Sequence, residues 1–382
     1  MKMLYILNLA KRLNHFSHSS MLAALSLGMN FHIASKFSYP SPKEVQKDEE
    51  KWHVSIHQVD FRRNPLHPGN LKAWRQLNEL EKKVRFTIIH CNTPVGGLLG
   101  RLLGRKYRIH PMIYTAHGFH FYQGAPLINW LLFFPIEWLC ARWTDVLITL
   151  NKEDYAFAKK HMPAKRVEYT PGVGIDTRKF SMLSAEKKSE IRRSLGVQDD
   201  EFMFLSVGEI SPNKNQTNAI RALAKVNNPR VKYFIAGQGD LQTEVEKLIE
   251  EHDLSSQVKL LGYRTDIPDL CGAADAYLFP SFREGLSVAL MEAMACGLPV
   301  VASRIRGNTD LIDEGKGGYL VDPRDVEGMA QAIKTLVTNP EAAAMGQYNM
   351  EKVKDFDMEK VTQELRRIYQ SVMPGSENSA ES

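Results

Sequence analysis

Cysteine is scarce in this chain: four residues in 382, Cys91, Cys140, Cys271 and Cys296, with no CxxC spacing. That excludes a zinc ribbon and a disulfide-framed secreted module, and reduced thiols in a cytosolic compartment are the simplest expectation. No GxGxxG follows a strand, so a dinucleotide cofactor is unsupported. No zinc-finger or RNP pattern occurs and aromatics do not interleave with basic residues, so nucleic acid is not an expected partner. Metal-site patterns are equally thin. The one DxD, Asp355 to Asp357, reads as a helix cap, and His53 and His57 sit in a strand pattern without helical ligand spacing. The N-terminus MKMLYILNLAKRLNHF is apolar only briefly before Lys11 and Arg12, and reads as a first strand, not a signal peptide.

What remains is a soluble-type composition, 43% hydrophobic and 24% charged, in a chain too long for one ordinary core. Charge is unevenly spread. Residues 1 to 180 hold 26 Lys and Arg against 13 Asp and Glu, whereas the rest is acidic by 8. The basic half asks for an anionic neighbour, and an anionic membrane surface or lipid phosphate suits it best.

Strand-like runs alternate with helical stretches throughout. MLYILNL, NFHIAS, VSIHQV, FTIIHC, MIYTAH and DVLITL lie in the first half; FMFLSVG, VKYFIAG, VKLLGY, AYLFPS and PVVAS lie in the second. This rhythm predicts two doubly wound α/β, Rossmann-like domains. The Gly/Pro-rich YTPGVGID marks the hinge. The expected divisions are 1–172, 173–356, a returning helix over 357–373, and a polar disordered tail over 374–382.

The most informative stretch is FREGLSVALMEAMACGLPVVAS, residues 282 to 303. Ser287 is a good N-cap, a helix over 288–296 follows, Gly297 supplies the left-handed C-terminal residue and Pro299 stops it. Glu284 therefore falls in the loop before the helix and Glu292 within it. The helix N-terminus between them favours a phosphate, so the pair suits an extended ligand with hydroxyls at each end and an anion in the middle. Two further strand ends add to this. Lys214 and Asn215 in VGEISPNKNQ follow a strand closing at Gly208, where a lysine can neutralise a diphosphate. Gly237 and Gly239 in IAGQGD let backbone approach a ligand. In the first half, His117 in YTAHGFHFY ends a strand, where its imidazole would face a cleft between the domains.

The order GEISPNKN, IAGQGD, GYRTDIPDLCGAADAYLFPS, EGLSVALMEAMACGLPVVAS, GGYLV resembles the donor-binding half of family 4 glycosyltransferases, retaining enzymes of GT-B architecture. HCNTPVGG, TAHGFHFYQGAP and TLNKEDYAFA are similar, more narrowly, to bacterial members that build capsule or exopolysaccharide units. The resemblance implies two Rossmann-like domains facing across a cleft, with the last helix crossing back to the first. It implies a nucleotide-sugar donor, UDP-hexose or UDP-N-acetylhexosamine before GDP, and a saccharide or polyprenyl-diphosphate-linked acceptor. No cofactor or metal is implied.

Residue by residue, Glu284 would hold hydroxyls of the transferred sugar while the backbone of Gly285, Leu286 and Ser287 meets sugar and phosphate. Glu292 would accept from the ribose, Lys214 would neutralise the departing diphosphate, and His117 would touch the donor sugar near the reacting carbon. Backbone around Tyr263 and Arg264 would cradle the base. Gly208, Asn215, Gly237 and Gly239 belong to the same donor side.

The chain departs from the family pattern twice. Glu209 stands where many members carry arginine, leaving Arg283, Arg264 or Lys214 alone to meet the phosphate charge. NLAKRLNHF replaces the usual glycine-rich first loop, and His15, Asn92 and Thr93 are the acceptor-side candidates there. A sugar-nucleotide epimerase or a non-catalytic sugar-nucleotide binder are the alternative functions.

Residues 127 to 143, LINWLLFFPIEWLCARW, are too short to span a bilayer. They read either as a buried helix or as a face resting peripherally on the cytoplasmic leaflet, with Lys11, Arg12, Arg101, Arg105, Lys106 and Arg108 in the same basic half.

Overall fold

The protein is described from a computed structural model covering residues 1–13, 15–65 and 67–374, the side chain of His15 excepted. The predicted tail beyond residue 374 and the proposed role of His15 thus lie outside the described residues.

The chain divides into two units, Met1–Gly174 together with the segment from Met358, and Ile175–Asp357. Each is built on a wholly parallel sheet. The first contains β1 (Lys2–Ala10), β2 (Asn30–Phe37), β3 (Ser55–Gln58), β4 (Ile88–Asn92), β5 (Met112–Ala116), β6 (Val146–Thr149) and β7 (Arg166–Tyr169), in the spatial order β3-β2-β1-β4-β5-β6-β7. The second contains β8 (Phe202–Val207), β9 (Val231–Ala236), β10 (Val258–Gly262), β11 (Ala276–Phe279), β12 (Val300–Ser303) and β13 (Gly318–Val321), in the order β10-β9-β8-β11-β12-β13.

Helices between parallel strands cover both sheet faces, so central strands are apolar on both sides. Every residue of β4, β5, β6, β11 and β12 is buried. In β8 the faces alternate: Met203 and Leu205 pack with Tyr277, Leu290 and Met291, while Phe204 packs with Ile220, Tyr233 and Ile333.

Two strands escape the sequence reading. β7 is four half-buried residues, RVEY, and β13 is GYLV, half of it buried. Both close a sheet edge, where one side is uncovered and the apolar run that announces a central strand is not needed. The final helix, Met358–Gln370, belongs to the first unit. Val361, Leu365 and Ile368 recur at helical spacing on its buried stripe, and the Tyr369 hydroxyl meets Nδ1 of the buried His90 at 2.6 Å. Asp357 precedes this helix and accepts from Thr177 Oγ1 at 2.5 Å.

Candidate active site

In a doubly wound sheet the strand order reverses at one point, and the loops leaving the two strands there diverge and open a crevice at their carboxyl ends. In the second unit that point lies between β8 and β11. The loop after β8 carries Gly208, Glu209 and a tight turn, Pro212–Lys214; the loop after β11 carries Arg283, Glu284 and Gly285. Lys214 Nζ lies 2.8 Å from Glu284 Oε1, with both side chains mostly buried (22% and 15% exposed). The ammonium also sits 4.9 Å from the centre of the Phe279 ring. The two loops are tied directly, by Phe282 N donating to Asn213 O at 2.8 Å and Asn213 Nδ2 donating to Arg283 O at 3.0 Å. Lys214 and Glu284, seventy residues apart in sequence, thus form one charged pair.

The helix after this loop runs Val288–Ala295, and Ser287 caps it, its Oγ accepting from Leu290 N at 3.3 Å. Gly297 follows in the left-handed region, φ 75°. Glu292 sits in this helix half-buried, and burial pushes its carboxyl up to about 7, with Lys179 pulling the other way.

Glycine spacing after β9 has a steric cause. A Cβ on Gly237 would stand 1.7 Å from Gly208 O, and one on Gly239 2.1 Å from Ile210 O, so the loops after β8 and β9 touch backbone to backbone. Gly208 N and Ile210 N donate into this seam, to Ala236 O and Gln238 O. Gly307, at φ 80°, likewise brings the loop after β12 against Gly285 O, 2.1 Å from where its Cβ would be.

Several donor-side candidates are placed differently from one another. Asn215 is buried, in the left-handed region, and its Nδ2 donates to Pro280 O and Pro323 O, so its amide serves as an internal tie. Arg264 is engaged by Asp266 through both Nε and Nη2, so its guanidinium is already neutralised. Tyr263 beside it is 65% exposed. Arg283 and Glu209 are exposed; Glu209 contributes its carbonyl, which accepts from Gln216 Nε2 at 3.0 Å. The sequence reading missed Arg306, which is buried and donates Nε to Glu284 O at 3.3 Å. Its signal was available, because RIRG directly follows the PVVAS strand and so leaves the carboxyl end of β12.

The first unit reverses between β1 and β4. Asn92, the last residue of β4, is buried; its Nδ2 donates to Ile6 O, and its Oδ1 lies 3.1 Å from His117 Nε2. An amide oxygen can only accept, so His117 carries its proton on Nε2 toward Asn92. Phe16 meets the imidazole ring edge-on at 5.6 Å. Thr93, next along, has φ 63° and ψ 159°, a conformation costing a non-glycine residue about 1–3 kcal/mol. Asn8 near the end of β1 was not singled out in the sequence, yet its buried Oδ1 has no partner among the described residues.

Thirty-five per cent of residues are identical between this chain and the Bacillus subtilis protein EpsD over 354 residues, 91% of this chain and 90% of that one. The chain belongs to the family 4 glycosyltransferases. The family pattern described as Glycosyltransferase Family 4 matches residues 5–179 of this glycosyltransferase, and that described as Glycosyl transferases group 1 matches residues 187–353. An Escherichia coli relative, UDP-Gal:alpha-D-GlcNAc-diphosphoundecaprenol alpha-1,3-galactosyltransferase, is 28% identical over 309 residues, 78% of this chain and 79% of the relative. Among solved structures, Anabaena HepE in complex with UDP and glucose superposes with a TM-score of 0.79 at 21% identity, covering 97% of this chain and all of that one. WaaG, a glycosyltransferase involved in lipopolysaccharide biosynthesis, gives 0.75 at 18%, covering 98% of this glycosyltransferase and all of WaaG. These likenesses place the two parallel-sheet halves in the GT-B fold. Nothing in the comparisons supports the epimerase alternative.

Proposed function

We propose that this glycosyltransferase moves a hexose or N-acetylhexosamine from a UDP-sugar to a polyprenyl-diphosphate-linked saccharide in surface polysaccharide assembly, with retention of anomeric configuration and without a metal. The observation that carries the reading is the Lys214–Glu284 pair at the carboxyl ends of β8 and β11, beside the N-terminus of helix Val288–Ala295. The UDP-glucose complex of the structurally similar HepE and the lipid-linked substrate in the Escherichia coli relative's name support the two substrate classes.

In this reading the sugar's hydroxyls take over the Glu284 carboxylate. The diphosphate takes over Lys214, whose charge, with the helix dipole, stabilises it as it leaves. The departing phosphate oxygen accepts the acceptor's proton on the same face, so catalysis lies in positioning and leaving-group stabilisation. Gly285 to Ser287 present backbone to sugar and phosphate, and Glu292 accepts from the ribose. The backbone at Tyr263 and Arg264 holds the base, and His117 contacts the sugar near the reacting carbon. Asn92 and Thr93 belong to the acceptor side. With Arg264 held by Asp266, the phosphate charge falls to Lys214, with exposed Arg283 as the second cation. No helix among the described residues is long and apolar enough to cross a membrane, and a lipid-linked acceptor would be met peripherally, on the cytoplasmic face of an anionic bilayer.

The test is nucleotide release from a panel of UDP- and GDP-sugars with a detergent-solubilised lipid-linked acceptor, in EDTA, with the product's anomeric configuration read by NMR. Release from one UDP-sugar, lost in Glu284→Gln and Lys214→Ala and giving an α-linked product from an α-donor, is the expected result. Inversion, a chelator-abolished reaction, or donor conversion without release would each overturn its part.

A further inference from the structure

The helix Leu127–Ala141 inverts the usual surface pattern. A surface helix normally shows water its polar side and the core its apolar stripe. Here the outward half is Leu127, Ile128, Leu131, Leu132, Pro135, Ile136, Trp138 and Leu139, all exposed and none polar. Seven of the twelve large hydrophobic side chains exposed among the described residues lie on it, Leu127 at 80% and Leu131 at 72%. The helix's single charge, Glu137, points inward, where it accepts from Arg101 Nη2 at 2.8 Å and from the Tyr114 hydroxyl at 3.1 Å. The inner half is firmly held: Trp130 and Phe134 pack on Phe121 and Phe157, Phe133 packs on His120, and Cys140 is buried. The apolar face is therefore built and rigid, and a monomeric soluble protein rarely exposes so continuous a patch.

Charge around the patch identifies what covers it. Arg142, just past the helix, lies 5.5 Å from the Trp138 ring, and Arg105 lies 4.2 Å from the Trp143 ring; both arginines are exposed. The helix Lys152–His161, whose Phe157 packs on Trp130, carries exposed Lys159 and Lys160. An apolar face rimmed by tryptophans and cations complements an anionic lipid surface, with indoles at headgroup depth and cations on the phosphates. A helix of 15 residues is about 22 Å long, short of the roughly 30 Å hydrocarbon layer, so it lies in the plane of the leaflet.

We infer that the outward face of helix Leu127–Ala141 is the membrane-inserting surface of this protein, entering the acyl boundary of an anionic leaflet while Arg105, Arg142, Lys159 and Lys160 meet headgroups. This deepens the reading of a lipid-linked acceptor and rests on it for its purpose. Its geometry stands without that reading.

The experiment is flotation of the full chain with phosphatidylglycerol-containing vesicles and with phosphatidylcholine alone, at low and high salt, for the wild type and a Leu131→Gln/Leu132→Gln/Ile136→Gln variant. Apolar insertion makes the wild type float with anionic vesicles and keep part of that binding at high salt, while the variant's partition falls at least about tenfold. Trp138 fluorescence shifts to the blue and is quenched by lipid brominated in the acyl chain, and Trp138→Phe removes that component. All substituted positions are exposed, and unchanged thermal melting reports that the variant is folded. A wild type that stays soluble, a variant that floats equally, or a lipid-free dimer broken by the same substitutions, which would assign the face to a second copy, would each overturn the inference. Flotation without any sugar transfer to the solubilised acceptor would instead overturn the transfer reading and leave the surface assignment intact.

Discussion

The pair Arg101–Glu137 in the first unit and the pair Lys214–Glu284 in the second are both 2.8 Å long, yet their surroundings differ. Arg101 is 1% exposed, stacks 3.9 Å from the Tyr114 ring, and is enclosed on every side. Lys214 and Glu284 are 22% and 15% exposed, in the two tied loops that follow β8 and β11. A buried pair is costly to form and more costly to break, so its use is to fix structure. A pair that solvent still reaches, at a sheet's switch point, is held in place yet free to exchange partners. Equal distances thus describe an enclosed pair in one case and a solvent-reached pair at a sheet's switch point in the other.

Breaking the first pair has the largest effect on stability. Arg101→Met leaves Glu137 buried without its cation and should cost about 3–5 kcal/mol, read as a fall in denaturation midpoint. Arg101→Met combined with Glu137→Leu should recover much of that loss; if it does not, the pair is more than a strut. Lys214→Ala also strands a carboxylate, since Glu284 is 15% exposed, so it should cost some stability too, but its larger effect falls on turnover, lowering kcat by about 10²–10³, the usual cost of removing one preorganised charge-stabilising group. His117→Ala probes the first unit's edge. Losing one hydrogen-bonding contact should lower kcat/KM by about tenfold to a hundredfold, while Asn92→Ala frees the imidazole's proton side and produces a share of that loss.

Glu292 sharpens the comparison by pH. Its folded carboxyl titrates near 7 and its unfolded one near 4.5, so between those values the folded state binds more protons. Stability from this group is full below the unfolded value and is lost as pH rises through about 7. Glu292→Gln should therefore be more stable than the wild type at pH 8, by about 3 kcal/mol, and level with it below pH 4.5. An unchanged difference across that range would mean that the carboxylate is better solvated than its burial implies.

Central strands and the helix Val288–Ala295 were legible because burial on both faces forces apolar runs, and because Ser287, Gly297 and Pro299 mark a helix by local chemistry alone. The edge strands β7 and β13 were not, since half-buried residues carry no such pattern. Glu284 and Lys214 could be singled out individually, but their pairing depends on β8 lying beside β11, a relation of topology. Asn215 shows the converse: its place beside Lys214 suggested a ligand contact, whereas two carbonyls from distant loops occupy its amide. Residues 127 to 143 left open which half faced the interior. Helical period gives two halves of this segment, both apolar, and only the location of Arg101 shows that the side with Glu137 turns inward.

The central claim, that the second unit's switch point is the donor site, is tested most directly by titrating UDP into the wild type, Lys214→Ala and Arg101→Lys by calorimetry. The account predicts at least about tenfold weaker binding for Lys214→Ala, with Arg101→Lys binding as the wild type does while melting lower. Equal UDP affinity in the wild type and Lys214→Ala would contradict it.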